Sequence, residues 1–333
     1  MEYFNNHKNL YITATTLFVA LTILVCIIPA LDNEKNYAPL PNSKPLSKEA
    51  EMGKAIFVSE GCMACHTQQV RNVDMDKTWG KRPSIAADYA GISRTDIWRN
   101  TATLMGTERT GPDLTNIGSR QPSSEWNLTH LYNPRILVKE SIMPSYPWLF
   151  EEKENVLPTD VVVTVPEEYL TNKHNKIVAT PKALHLIAYL QSLVQADLPE
   201  TVAKPIFLYK KEIRTVTASN GKKEELDGAP LYANNCQMCH QENGKGLKGA
   251  FPALKDSKVV LNEDPKTMVD IIMNGYSGRI SEGYAVMPPV GTNNNLSPEE
   301  ITAIMNYVKT NWGNNAPKVT TQQIDELVKK VKK

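Results

Sequence analysis

Cys62-Met63-Ala64-Cys65-His66 and Cys236-Gln237-Met238-Cys239-His240 decide how this chain reads. Cys-x-x-Cys-His is the attachment string of c-type haem: two thiols bond to the haem vinyl groups, and the adjacent His is left beneath the iron. Cys62 and Cys65 are therefore expected to hold one haem c and Cys236 and Cys239 a second, with His66 and His240 as proximal axial ligands. The alternatives are a thioredoxin-like redox pair or half of a zinc site. Both are weakened by the trailing His, which occurs twice, and by the lack of a βαβ pattern around either copy. The fifth cysteine, Cys26, lies in an apolar run, so no cysteines are left for a disulfide framework.

A six-coordinate cytochrome needs a second axial ligand, and Met is the usual one in c-type domains. In Tyr284-Ala285-Val286-Met287-Pro288-Pro289, Met287 sits in a proline-stiffened loop before a closing helix; Met273 lies in an apolar helical setting and reads as core. In Ser141-Ile142-Met143-Pro144-Ser145-Tyr146, Met143 fills the equivalent place. Its rivals Met75 and Met105 are not followed by Pro. His130 is an alternative ligand, weighed against a hydrogen-bonded structural role, and His185 reads as structural. Gly111-Pro112-Asp113-Leu114 and Phe251-Pro252-Ala253-Leu254 each follow a haem string. In c-type domains such a proline carbonyl accepts a hydrogen bond from the proximal His and fixes its ring, which makes Pro112 and Pro252 supporting residues rather than ordinary turn prolines.

Upstream, Leu10 to Leu31 is an uncharged run of 22 residues. At 1.5 Å per residue it spans ~33 Å as a helix, enough for a bilayer core. Lys8 before it, and Asp32, Glu34 and Lys35 after it, fit a cytoplasmic N-terminus. A cleaved signal peptide is the competing reading. The run is long for a signal core, and no small-x-small site follows it. Val25 fits poorly before a lipoprotein cysteine, so Cys26 reads as an apolar residue of the anchor.

The expected fold is mainly α: one N-terminal transmembrane helix followed by two cytochrome c-type haem domains. The expected divisions are an anchor and tether (1–45), a first haem domain (46–197), a linker (198–226), a class I cytochrome c domain (227–315) and a polar, basic tail (316–333) with a loose terminal helix as its candidate structure. Ser47 caps a helix leading to the first string. The stretch from Thr67 to Met143 reads as polar and loop-rich, and Asp160 to Val165 has strand character. Pro181 starts an amphipathic helix with Leu184, Ile187, Ala188, Leu190 and Leu193 at helical spacing. Ser297-Pro298-Glu299-Glu300 opens the closing helix, whose apolar face is Ile301, Ile304, Met305, Tyr307 and Val308. Both units thus run helix, haem string, loops, Met-Pro, helix.

Of the 333 residues, 37 are basic and 36 acidic, which argues against nucleic-acid binding. Protein docking depends on local patches and stays open. Arg71, Arg82 and Arg94 could face haem propionates. For Arg82 and Arg94 solvated surface charge is the preferred reading.

The first unit also carries a more specific pattern. Glu60-Gly61-Cys62-Met63-Ala64-Cys65-His66-Thr67-Gln68-Gln69-Val70-Arg71, Arg109-Thr110-Gly111-Pro112-Asp113-Leu114, His130-Leu131-Tyr132-Asn133-Pro134-Arg135 and Glu140-Ser141-Ile142-Met143-Pro144-Ser145-Tyr146-Pro147-Trp148-Leu149 occur in order. Together they resemble the mono-haem membrane subunit (FixO) of cbb3-type cytochrome c oxidases, over roughly Met1 to Asp197. The resemblance implies His66 and Met143 as axial ligands of a low-spin haem, and docking on a catalytic haem–copper subunit that reduces oxygen. With both axial positions filled, this chain would hold no catalytic centre of its own. The insertion between Glu151 and Thr180 and the second haem unit depart from the family pattern. Asp227 to Asn315 is similar to class I cytochrome c domains, including those of the di-haem subunit of the same oxidases.

The expected role is electron transfer at the cytoplasmic membrane, single-pass, with the haem domains on the periplasmic or outer face. The route runs from an external donor (a cytochrome or a quinol-oxidising complex) to the His240 haem, then the His66 haem, then the catalytic subunit, with membrane lipid around the anchor. The alternatives are the cytochrome subunit of a nitric oxide reductase, which the Met-Pro-x-Tyr-Pro-Trp-Leu string disfavours, a free-standing tethered shuttle, and a haem gas sensor, which would need an open iron position.

Overall fold

The apolar run is helical, in three sections: α1 (His7–Leu21), a π-helical stretch (Thr22–Ile27) and α2 (Ile28–Asn36). The widened turns come just before Pro29, whose ring would crowd the Val25 carbonyl in a regular helix. Leu17, Phe18, Leu24 and Val25 are all exposed, and nothing in α1 is buried. A helix that is apolar all round and buries nothing among the described residues fits a membrane span. The stretch His7–Asn33 is long and apolar enough to cross a membrane and reads as the anchor.

The computed structural model describes residues 2–36, 45–89, 104–199, 201–208 and 226–331. Much of the tether and linker, and Arg94, lie outside the described residues. Two compact units result: Met1–Leu46 with Ile85–Leu104, and Ser47–Ser84 with Met105–Lys333. The second contains both haem strings.

The first half of this larger unit is built from α3 (Lys48–Ser59), α4 (Ile117–Arg120), α5 (Ser124–Tyr132) and α6 (Pro181–Ser192). Ser47 caps α3, its Oγ accepting from Ala50 N at 3.2 Å, and Thr180 caps α6 ahead of Pro181. The two helices cross tightly at Gly53. A Cβ there would collide with the His185 carbonyl oxygen and lie 2.6 Å from its carbon and 2.8 Å from Tyr189 Cβ. One turn on, Phe57 meets Tyr189 edge to face, ring centroids 5.3 Å apart. The buried face of α6 is Ala183, Leu186, Ile187 and Tyr189, so the Leu184, Leu190 and Leu193 side of the expected stripe is only partly covered.

The second half repeats the arrangement with α7 (Gly228–Asn235), α8 (Gln237–His240), α9 (Lys258–Leu261), α10 (Lys266–Asn274), α11 (Val290–Asn293), α12 (Pro298–Thr310) and α13 (Thr321–Val331). A Cβ at Gly228 would collide with the Ala303 carbonyl, and Tyr232 packs on Tyr307 at 5.3 Å. Ser297 and Glu300 form a complete capping box on α12. Met273 is core, as expected, with Ile301, Ile304, Met305 and Val308. The polar terminal stretch is more ordered than its composition suggests: α13 is amphipathic and buries Ile324 and Val328 in that same core.

Two further elements differ from expectation. α5 lies inside the stretch expected to be loop, and it buries Trp126, Leu128 and Leu131. The region of strand character holds only Val162–Val163 as strand. This pairs antiparallel with Lys176–Ala179, which pairs in turn with Phe150–Lys153. The sheet is stitched to α5 by Thr164 N donating to Glu125 Oε1 at 3.0 Å and Thr129 Oγ1 donating to the Thr164 carbonyl at 3.3 Å.

The halves meet at a seam. Trp126, Ile136 and Leu137 of the first cluster with Ala250 and Phe251 of the second. Trp126 Nε1 donates to the Met238 carbonyl at 3.3 Å, and Asn293 Nδ2 donates to the Ser119 carbonyl at 2.5 Å.

Candidate functional site

Each haem string follows the first helix of its half. Gly61, at φ 71°, ends α3 and turns the chain into a 3-10 turn over Cys62–Ala64; α7 runs directly to Cys236. His66 N donates to the Cys62 carbonyl, and His240 N to the Cys236 carbonyl, both at 3.0 Å. Nδ1 of His66 lies 2.8 Å from the Pro112 carbonyl, and Nδ1 of His240 lies 2.9 Å from that of Pro252. A carbonyl can only accept, so each Nδ1 carries the proton and each Nε2 keeps its lone pair for a metal. Burial holds both rings below the ordinary histidine pKa, against the upward pull of the carbonyl bonds, which keeps them neutral. Gly111 leaves room for the first ring: a Cβ there would be 2.7 Å from His66 Nδ1.

The loop carrying Pro112 is held by Asp113, whose carboxylate accepts from Thr67 Oγ1 at 2.6 Å, Gln69 N at 2.7 Å and Thr115 N at 2.9 Å. Arg109 lies 3.5 Å from Asp113 and also pairs with the buried Asp76, which Arg71 N bonds at 2.6 Å. Burial works against ionisation of Asp76, but the bonds from Arg71 and Arg109 outweigh it and hold the carboxyl below its ordinary value. Arg71 is thus committed to Asp76. Arg82, expected as surface charge, is instead buried and donates to the Pro83 and Ala196 carbonyls at 3.2 and 2.7 Å.

Cys62, His66 and Met143 line a cavity of ≈ 840 Å³ that Cys236, Cys239, His240 and Met287 also line. Met75 borders it too, whereas Met105 is absent from its described lining. Met287 is fixed by paired 2.9 Å backbone bonds with Tyr276. Burial pushes the thiols of Cys62 and Cys239 up to about 11 and that of Cys236 up to about 12. That is the reverse of an activated redox or zinc-binding thiol. Among the described residues no three His, Cys, Asp or Glu side chains converge as a metal-ion site. Buried polar atoms without partners stand in the wall, among them Arg120 Nε, Gln121 Oε1 and His130 Nδ1. Neutral imidazoles, the thiols of Cys62, Cys236 and Cys239, thioethers and unanswered polar atoms around one large cleft fit haem c, an apolar macrocycle with a carboxylate edge, while Cys65 is exposed and stands outside that lining. His130 stacks on Trp126, centroids 4.5 Å apart and planes 16° from parallel. The sequence singled out neither Arg120, Gln121 nor Trp126, because no motif or spacing sets them apart.

Comparison with known proteins agrees with this chemistry. Residues 2–176 match the family described as cytochrome c oxidase, mono-heme subunit/FixO, and residues 223–308 match cytochrome c oxidase, cbb3-type, subunit III. The chain is 31% identical over 298 residues to the cytochrome c subunit of the quinone alcohol dehydrogenase of Gluconacetobacter polyoxogenes, spanning 86% of this chain and 53% of that protein. It thus covers about half the length of that relative. Cytochrome c-552 of Thermus thermophilus is 33% identical over 93 residues, 27% of this chain and 70% of that protein. FixP of the cbb3-type oxidase of Azorhizobium caulinodans is 39% identical over 87 residues, 26% and 27% of the two chains. Site and matches together define a c-type cytochrome, an electron-transfer subunit with covalently bound haem c. The chain belongs to the FixO family of mono-haem cytochrome c oxidase subunits, whose match covers more than half of it.

Proposed function

We propose that this chain is the electron-entry subunit of a cbb3-type haem–copper terminal oxidase, passing electrons through two covalently attached haem c groups from an external donor to a catalytic membrane subunit. The observation that carries this reading is the union in one chain of matches to two subunits of one oxidase type, over 2–176 and 223–308. The chain would lie in the cytoplasmic membrane through α1 and α2, with both haem domains on the outer face.

Cys62 and Cys65 would bond the first haem, and His66 Nε2 and Met143 Sδ would fill its axial positions. Cys236, Cys239, His240 and Met287 would do the same for the second. When bound, haem c supplies a one-electron ferric–ferrous centre. The chain's own residues set its environment: Pro112 and Pro252 fix the histidine rings and raise their basicity, while thioether ligation favours the ferrous state. With a His and a Met holding each iron, this chain would leave no position for oxygen, which fits a carrier. The C-terminal half would take electrons from the donor, and the half matched by FixO would pass them on.

A second reading, the cytochrome subunit of a quinone-linked dehydrogenase, draws on the long match to the alcohol dehydrogenase subunit. Purification of the tagged chain from membranes in mild detergent separates the two. Co-purifying b-type haem with oxygen uptake supports the oxidase, nitric oxide consumption instead would point to a reductase, and a dehydrogenase partner would overturn the proposal. A c-type spectrum alone would leave a tethered shuttle.

A further inference from the structure

The backbone between α4 and α5 is firmly held. Gln121 N donates to the Ile117 carbonyl at 2.7 Å, and the Gln121 carbonyl accepts from Asn127 Nδ2 at 3.1 Å. The Pro122 carbonyl accepts from Gln191 Nε2 at 2.7 Å, and Ser123 Oγ accepts from Trp126 N at 3.1 Å. From this fixed base the buried side chain of Gln121 crosses the seam. Its Nε2 lies 3.6 Å from Cys239 Sγ and 3.5 Å from Met238 Sδ, both in the second haem string. Trp126 Nε1 takes the carbonyl of that same Met238. The first half therefore grips the second string by a sulfur and by its backbone.

A second cavity, of ≈ 160 Å³, is lined by Cys236, Cys239, His240 and Met287. Its described lining comes from the second half except for Gln121 and Ser123. Gln121 is a costly residue to bury there. Its Nε2 finds only sulfur acceptors among the described residues, and its Oε1 has no partner. Sulfur is a weak acceptor, so these bonds do not offset burial of the amide, and stability alone does not account for it. Haem attachment removes the proton from the Cys239 sulfur and leaves an acceptor only. An amide with its nitrogen toward that sulfur is the arrangement that still bonds afterwards.

We propose that Gln121 completes the second haem site from the first half: its amide donates to the Cys239 sulfur and raises the potential of the haem held at Cys236, Cys239 and His240. This rests on the haem assignment above. An added electron makes the ring and its sulfur substituents richer in negative charge, and an N–H aimed at that sulfur favours the ferrous state. Gln121 acts through the sulfur, so it is a positioning residue and not an iron ligand. The docking of the two halves thereby sets the potential of the second.

The test uses the full chain in detergent. Covalent haem is first counted by mass in the wild type. Absence of haem from Cys236 and Cys239 overturns the haem assignment itself, and this proposal with it, before any variant is made. With haem present, the potentials of both centres are measured by spectroelectrochemistry in Gln121→Met and Gln121→Glu. Methionine fills the same space and has no donor. In Gln121→Met the second haem's reduction equilibrium should move about threefold toward ferric, a fall of ~28 mV for one electron, with the first haem as internal control. The carbon–sulfur stretching band of the second haem should shift with it in the resonance Raman spectrum, a change that a space-filling glutamine would not produce. Glutamic acid keeps a donor while protonated and opposes the ferrous state once ionised. In Gln121→Glu the second potential should therefore fall with rising pH more steeply than in the wild type. An unmoved second potential in Gln121→Met, or equal shifts at both haems, overturns the proposal. Should Gln121→Met fail to fold, a wild-type pH dependence of the second potential in Gln121→Glu would overturn it.

Discussion

Substitution of Gly53 by Ala adds one methyl at the point where α3 and α6 touch. The new Cβ would lie 2.6 Å from the His185 carbonyl carbon, against an ordinary contact of 3.4 Å or more. The helices must therefore part by at least about 0.8 Å, and by more to clear the nearer carbonyl oxygen, because a backbone carbonyl cannot rotate out of the way. A gap of 0.5–1 Å forfeits roughly a quarter to a half of each contact's dispersion energy, and it falls on the layer of Phe57 and Tyr189. Overpacking of this kind costs about 1–3 kcal/mol, and the upper end applies against backbone. Alanine returns about 1 kcal/mol in helix propensity. The net loss is about 2 kcal/mol, to be read as a lower urea midpoint with unchanged slope in the unfolding of the first half, followed by its Soret circular dichroism. Gly61→Ala is the comparison: its methyl meets nothing within 4 Å, so only the strain of φ 71° remains, about 1 kcal/mol. Wild-type stability in Gly53→Ala would refute the close crossing and, with it, the reason the Cys62 string is held where it is.

Cys236→Ser with Cys239→Ser should lower the chain's mass by one covalent haem and halve its c-type absorbance; an unchanged haem content would rule out attachment there. Met143→Leu and Met287→Leu should each lower one midpoint potential by on the order of 100 mV and open one iron to carbon monoxide, whereas Met75→Leu should do neither. Carbon monoxide binding in Met75→Leu alone would reassign the first ligand. Asp76→Asn should cost about 2–3 kcal/mol, because Arg71 and Arg109 lose their shared acid. The Asp76 carboxyl is lowered from its ordinary 3.8, so its contribution is complete above that value and lost as pH falls through the depressed one. The variant's stability should accordingly be flatter than the wild type's below pH 4, and identical acid limbs would contradict the pairing.

Local chemistry was the most legible part of this chain. Haem attachment is spelled by five consecutive residues, helix caps by Ser47 and Ser297, and the anchor by an uncharged run, each independent of distant contacts. What escaped reading depends on partners far along the chain. Gly53 and Gly228 look like ordinary helical glycines until α6 and α12 lie across them. α5 sits between Pro122 and Pro134 and is too short to show a period, yet it supplies Trp126, which bonds Met238 across 112 positions. The expected stripe of α6 and its buried face share Ile187, but Leu184, Leu190 and Leu193 are only half-buried, and a tyrosine at 189 fills the core. The polar composition of α13 masks the two apolar residues, Ile324 and Val328, that carry its packing.

The cavity lined by residues of both ligand sets has an electrostatic corollary. With both sites loaded, an electron arriving at one iron repels the next across protein rather than bulk water. At separations on the order of 10–20 Å and an effective dielectric near 20, that repulsion is on the order of 1 kcal/mol. Such a pair does not titrate as two independent centres: its two reduction steps spread apart, and the potentials read from them belong to the couple rather than to either haem. With two haems in place, reduction of one would thereby bias the chain to hand on its first electron before it accepts a second.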